Sequence, residues 1–324
     1  MIDAAIVGLG RWGRNLVDAV QWKSEKLRFV QCVVRQPEPA REYAADQGLE
    51  IETDFDHMLR DERIQAVVLA TPHSLHVRQI IAVAAAGKAV FCEKPLALTA
   101  ADAERAVDAC RRANVALGLG HDKRLWGSMQ DLRRVTASGE LGQILHMEGH
   151  FSNESTRRYF TGWRALEDDA PGGGLTATGI HILDAFVAVA GPVHAVHAHV
   201  LSHPPAPEPV DSLTVFLEFS SRVSGVLSGV RTTPAYWRVH VFGKEGSAEA
   251  QGATELTVRK TDAAPERFTF EPVDTLRLEL EAFADAASGG PPYHIAPQQM
   301  IDAVAALEAT IESMESGGTV RVRG

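Results

Sequence analysis

The sequence predicts an α/β fold: an N-terminal, doubly wound parallel sheet over residues 1–121, then an α+β domain with a large, mostly antiparallel open sheet over residues 122–324. Three observations predict it. Apolar runs of strand length alternate with helical stretches up to about Leu119, the pattern of βα units with right-handed crossovers. The first strand-to-helix turn carries Gly8, Leu9, Gly10, Arg11, Trp12 and Gly13. After Gly120 the pattern changes to strands joined as hairpins.

The first strand, residues 4–7, runs into the glycine turn, and residues 15–20 read as helix. In that context the first glycine allows a tight turn and the second lets backbone approach a pyrophosphate. The third lets the helix pack on the strand. Gly8, Gly10, Arg11, Trp12 and Gly13 are therefore candidate cofactor contacts, and the first domain reads as a dinucleotide-binding Rossmann unit. The second strand, residues 27–34, ends where an NAD enzyme carries an acid for the ribose hydroxyls; here Val34 is followed by Arg35. An arginine can pair with a 2′-phosphate that an acid would repel, so NADP is expected in preference to NAD, with NAD possible.

A helix over 40–47, a short strand over 49–53 and a helical turn over 55–59 follow. The fourth strand, 66–70, ends in Thr71, Pro72 and His73, and a helix over 76–86 stops at Gly87. The fifth strand starts at Ala89 and ends in Cys92, Glu93, Lys94 and Pro95. Pro95 disfavours helix at Lys94, which leaves the lysine extended at a strand tip, where open α/β sheets bind ligands. Thr99 caps a helix reaching 113, with Asp102 in its first turn, and 115–119 is the sixth strand. The tips of the first and fourth strands flank the switch point of a doubly wound sheet. Residues 8–13 and 71–73 should therefore face one cofactor, with Lys94 beside it.

In the second half, 121–126 is a polar crossing and 128–138 a helix. Strands are expected over 143–151, 193–201, 212–219, 223–230 and 237–242, with closing helices over 276–287 and 297–314. The proline-rich residues 204–209 read as a loop. The informative stretch is 171–184, in which three glycines can bring backbone close to a ligand. His181 and Asp184, spaced i, i+3, share one helix face there, and histidine is well suited to move a proton near neutral pH. A histidine on so apolar a helix can equally be a core group. His197 and His199 alternate along a strand, but no third ligand at a suitable spacing accompanies them, so no metal is expected.

With 32 basic and 42 acidic residues the formal net charge is −10, which argues against nucleic acid or an anionic membrane as partner. No apolar run approaches the roughly 20 residues of a membrane span, and the N-terminus lacks the pattern of a signal peptide. A cytoplasmic protein is expected, with Cys32, Cys92 and Cys110 as reduced core residues.

The chain resembles the glucose/fructose oxidoreductase and inositol dehydrogenase family (Gfo/Idh/MocA). The residues that carry the resemblance are 8–13, 70–76 (ATPHSLH), 93–96 (EKPL), 138–142 (SGELG) and 172–184 with its G-x-H-x-x-D ending. The resemblance implies a Rossmann domain followed by an α/β domain whose open sheet mediates a homodimer or homotetramer. It implies too a cleft that holds nicotinamide and a sugar or cyclitol. The family's lysine falls on Lys94 and its histidine on His181, but the aspartate expected four residues before that histidine is Ala177. Asp184 is the nearest candidate to orient or charge-balance His181 or Lys94.

The expected catalytic set is thus Lys94, His181 and Asp184. Thr71, Pro72, His73, His76, Glu93 and Lys94 join the glycine turn and Arg35 on the cofactor, while Arg124, Trp163, Arg164, Thr178 and His181 serve the substrate. Asn153, Arg157, Arg158 and Tyr159 lie in the same segment as Trp163 and Arg164; its amide and aromatic side chains suit a sugar ring, and its arginines suit an anionic group on the substrate. The expected activity is hydride transfer between a nicotinamide cofactor and a secondary alcohol or ketone. The alternatives are a reductase of a non-sugar carbonyl or imine, and a dinucleotide-binding sensor without turnover.

Overall fold

The computed structural model of the chain describes residues 1–153, 169, 171–202, 211–231 and 233–322. The chain divides into two compact units, Met1–Asp122 with Asp274–Met300, and Lys123–Val273 with Ile301–Gly324.

The first unit alternates β1 (Ile2–Val7), α1 (Arg11–Val20), β2 (Leu27–Val33), α2 (Arg41–Gln47), β3 (Glu50–Glu52), α3 (Phe55–Arg60), β4 (Ala66–Leu69), α4 (His76–Ala85), β5 (Ala89–Glu93), α5 (Ala100–Ala113) and β6 (Leu117–Gly120). The strands form one parallel sheet in the order β3-β2-β1-β4-β5-β6, so the order reverses between β1 and β4. A parallel sheet of this kind is covered on both faces, and that is why β4 and the greater part of β1 and β5 read as apolar runs. Thr99 caps α5 as expected, its Oγ1 accepting from the Asp102 N–H at 3.2 Å. By contrast α1 begins at Arg11, four residues ahead of the apolar pattern, because the glycine turn sets its start.

Residues 122–324 were expected together, but Asp274–Met300 returns to the first unit. The cause is apolar burial: the helix Thr275–Ala287 places the Phe283 ring 5.6 Å from that of Phe91. Tyr293 follows, with its hydroxyl donating to the Leu119 carbonyl at 2.9 Å.

The second unit is a nine-stranded sheet with β7 (Ile144–Asn153) near its middle. Around it lie β8 (Val193–Ser202), β9 (Asp211–Phe219), β10 (Ser224–Arg231), β11 (Tyr236–Gly243), β12 (Gly246–Gln251), β13 (Glu255–Lys260), β14 (Glu266–Thr269) and β15 (Thr319–Arg321), in the order β14-β13-β12-β11-β7-β10-β9-β8-β15. Every pairing is antiparallel except β7 with β10. Strands β12 to β15 go beyond the sequence expectation. The β12 sequence, for instance, is rich in Gly, Ala, Glu and Gln, which have low strand propensity, and its strand is held by cross-strand pairing.

One sheet face packs on α6 (Gly127–Ala137), on the helix Ile180–Ala190 and on part of the helix Pro297–Ser316. The opposite face stays open, with Phe216, Leu201 and Tyr236 exposed and His197 and His199 among them. Cys32, Cys92 and Cys110 are buried and free. Among the described residues no helix is long and apolar enough to cross a membrane, and no group of His, Cys, Asp or Glu is placed to hold a metal ion.

Candidate cofactor and catalytic site

The glycine turn after β1 has a separate physical reason for each glycine. Gly8 has φ +92°, and a Cβ there would lie 2.6 Å from the Ala70 carbonyl oxygen. At Gly13 a Cβ would lie 2.0 Å from the Gly8 oxygen, so this glycine lets α1 close on the turn. Gly10 meets nothing within 4 Å. Protein packing therefore does not require a glycine there, and the open space suits the close approach of a pyrophosphate. The first turn of α1 has no side-chain cap and no acidic residue, which leaves its N–H groups to an anion. A dinucleotide thus fits the turn. Arg11 is exposed and lies over the Trp12 ring, and exposed Arg35 follows β2, whose Val33 carbonyl accepts from Gly8 N–H at 3.0 Å.

Beyond β4, Thr71, Pro72 and His73 are half-buried. His76 is wholly buried, with Nδ1 2.8 Å from the Pro95 carbonyl oxygen and Nε2 3.1 Å from that of Thr71. Expected as a cofactor contact, it instead ties the turn after β4 to the turn after β5, because each ring nitrogen is directed at a backbone carbonyl. Lys94, half-buried, precedes a cis bond to Pro95 in the second of these turns.

Glu93, the last residue of β5, is 6% exposed. Its carboxylate lies over Gly120 of β6, where a Cβ would come within 2.7 Å of Oε1. That oxygen is buried without a hydrogen-bond partner among the described residues. Burial pushes the carboxyl up to about 7; the Trp12 indole and the Lys94 ammonium pull it down, and Asp122 pushes it up. The indole is close enough to act on the acid, yet its N–H closes no hydrogen bond of normal geometry.

In the second unit, Gly172 and Gly173 adopt φ +68° and +53° and lead into a π-helical turn, Leu175–Gly179, which runs on into the helix Ile180–Ala190. Such a turn inside a helix recurs at functional sites. His181, the second residue of that helix, is 6% exposed, and Ala177 and Thr178 are half-buried. Asp184 is buried in a two-pronged ion pair with Arg124, whose Nε lies 2.7 Å from Oδ2 and Nη2 2.8 Å from Oδ1. Arg124, expected to meet substrate, is 2% exposed and directed at this carboxylate, since a buried guanidinium requires a counter-charge. Arg157, Arg158, Tyr159, Trp163, Arg164 and the loop 204–209 lie outside the described residues.

The model named "Oxidoreductase family, NAD-binding Rossmann fold" matches residues 2–121, and the GFO/IDH/MocA C-terminal domain matches residues 129–249. The chain belongs to the Gfo/Idh/MocA oxidoreductase family. Its first unit is a Rossmann fold of the NAD(P)-binding kind. Among its relatives, 2,7-anhydro-N-acetylneuraminate hydratase from Mediterraneibacter gnavus is 29% identical over 56% of this chain and 48% of that protein. The chain thus spans about half the length of the first curated relatives that it matches. Others match nearly end to end. The 1,5-anhydro-D-fructose reductase of Ensifer adhaerens is 28% identical over 87% of this chain and 89% of its own. The D-xylose 1-dehydrogenase (NADP(+)) 2 of Haloferax volcanii is 26% identical over 95% of this chain and 96% of its own. A solved levoglucosan dehydrogenase, in complex with NADH and L-sorbose, shares the fold with a TM-score of 0.87 and 22% identity over 99% of both chains.

Two features of this family member escape sequence reasoning. Arg231, the last residue of β10, is buried with its guanidinium against Gly173 and Gly174, and nothing in the local sequence links positions 58 residues apart. The Arg124–Asp184 pair spans 60 residues and is equally invisible in the chain order.

Proposed function

We propose that the protein transfers a hydride between a nicotinamide cofactor and a secondary alcohol or ketone of a sugar, sugar derivative or cyclitol. The observation that carries this reading is the strand tip Glu93, Lys94, Pro95, fixed by His76 in the same unit as a glycine turn open at Gly10. Lys94 donates a hydrogen bond to the substrate oxygen and stabilises its developing negative charge. His181 takes the hydroxyl proton as general base, and Thr178 contacts substrate. Asp184 and Arg124 hold the helix that carries His181, as positioning residues. The cofactor supplies the hydride acceptor.

NADP is the preferred cofactor on the strength of Arg35 and of Val34 in the place of the acid that would select NAD; the relatives include both an NADP(+) enzyme and an NADH complex. The open sheet face, with Phe216, Leu201 and Tyr236, is the surface for a homodimer or homotetramer. The three free, buried cysteines suit a reducing, cytoplasmic setting.

Ala177, in place of the family aspartate, favours a second reading: a reductase of another carbonyl or imine, or a sensor without turnover. Assays of cofactor reduction with a panel of sugars and cyclitols, and of cofactor oxidation with the matching ketones, test the first reading. Turnover of at least one ring alcohol supports it, while tight cofactor binding with no turnover in either direction favours the sensor.

A further inference from the structure

The tip of β5 holds an acid that the hydride-transfer scheme above does not use. Glu93 is nearly inaccessible, its carboxylate lies flat over Gly120, and Oε1 has no hydrogen-bond partner among the described residues. Its surroundings within the unit are unevenly charged. Asp122, whose Oδ2 lies 3.4 Å from the Thr275 hydroxyl, disfavours a second negative charge, and Lys94 favours one. Trp12 offers only the dipole of an indole, Cys92 is a buried thiol that burial keeps protonated, and His121 is buried beside Asp122. Such an acid is poised between its two forms, because burial and a like charge are offset by the Trp12 indole and one cation.

Where a dinucleotide lies on this sheet follows from the strand order. The pyrophosphate sits at the turn after β1, at the reversal between β1 and β4. The adenosine ribose lies toward the end of β2, so the nicotinamide extends the other way, over the tips of β4 and β5. Glu93 ends β5, the strand paired beside β4, which places the acid next to that path.

The nicotinamide ring carries one positive charge when oxidised and none when reduced. We propose that Glu93 couples this charge to a proton: it is held as the carboxylate against the oxidised cofactor and takes up one proton from solvent when the ring is reduced. Oxidised cofactor therefore binds more tightly as the acid ionises, and reduced cofactor does not. The inference rests on the assignment of NAD(P) to the Rossmann unit and extends it to the preference between the two redox forms.

The test is cofactor binding by the full-length chain between pH 6 and pH 8.5, with no substrate present. For wild type the affinity for oxidised NADP should rise with pH by up to about tenfold per unit, the limit for one linked proton. The affinity for NADPH should stay level or fall. Calorimetry in two buffers of different ionisation heat should then find proton release for the oxidised form alone, a measurement that needs no variant. In Glu93→Gln the slope should vanish, and in Asp122→Asn its midpoint should move to lower pH. Equal proton counts for the two redox forms, or a slope that persists in Glu93→Gln and so belongs to a group such as His121, would overturn the inference. Failure of either dinucleotide to bind at any pH would overturn the cofactor assignment instead.

Discussion

The guanidinium of Arg231 fills the space that a side chain at Gly173 would need: a Cβ there would lie 1.6 Å from Nη2. Gly173 also has φ +53°, which costs an L-residue about 1–2 kcal/mol. Gly173→Ala should therefore lower stability by at least that much in urea unfolding and displace the turn that leads to His181. Gly10→Ala is the contrasting case, with nothing within 4 Å. It should melt like wild type and bind dinucleotide more weakly in titration.

The pair Arg124–Asp184 is buried, and removing one partner takes the two-pronged counter-charge from the other. Asp184→Ala or Arg124→Met should each destabilise the fold by about 3–5 kcal/mol. The double replacement by apolar residues should recover much of the loss. Chemical denaturation of the three variants measures this, and additive losses would show that the two residues act independently.

Catalysis should depend on Lys94 and His181 without the fold depending on either. Alanine at each position should reduce turnover by roughly 10² to 10⁴ with melting near wild type, and His181→Ala should leave cofactor binding near wild type. If His181→Ala retains full activity but melts far lower, His181 is a core residue. Ala177→Asp is the complementary variant, and faster turnover of a simple cyclitol would identify the acid that the natural chain lacks.

Arg35→Ala should weaken NADP binding by about 1–3 kcal/mol, the worth of hydrogen bonds to a charged group, and leave NAD nearly unchanged. Dissociation constants for both cofactors decide it. Tighter binding of NAD by the wild-type chain would remove the basis for the preference.

The buried acid also has a consequence for stability. Glu93 titrates near 7 in the folded chain, against an ordinary carboxyl value of 4.5. Between these values the folded state binds the extra proton, so stability falls as pH rises through that interval, by at most about 3 kcal/mol. Glu93→Gln should thus melt above wild type at pH 8, and the difference should close toward pH 5. Thermal denaturation at both pH values checks it.

The alternating half of the chain was legible because each βα unit is local. The turn at residues 8–13, the cap at Thr99 and the strand tip at Lys94 all follow from neighbours within a few positions. The outer strands of the second sheet were less so, since β12 exists by virtue of its two partners and not of propensity, and β15 is only three residues long. At the candidate site, His181 could be found by its spacing from the glycines. His76 and Arg124 could be found as polar residues in suggestive places, but not their directions, which are set by carbonyls and a carboxylate from other elements. Arg231 carries no signal of its own, being one arginine at the end of one strand.

The return of Asp274–Met300 to the first unit bears on how the chain comes off the ribosome. Phe91 and the sheet edge near Leu119 are finished only when Phe283 and Tyr293 arrive. At about 5–20 residues per second, the nascent Rossmann unit waits on the order of ten seconds or more with that apolar surface bare. During that interval it is a natural client for a chaperone. A fragment truncated after the sixth strand would stay in that condition permanently.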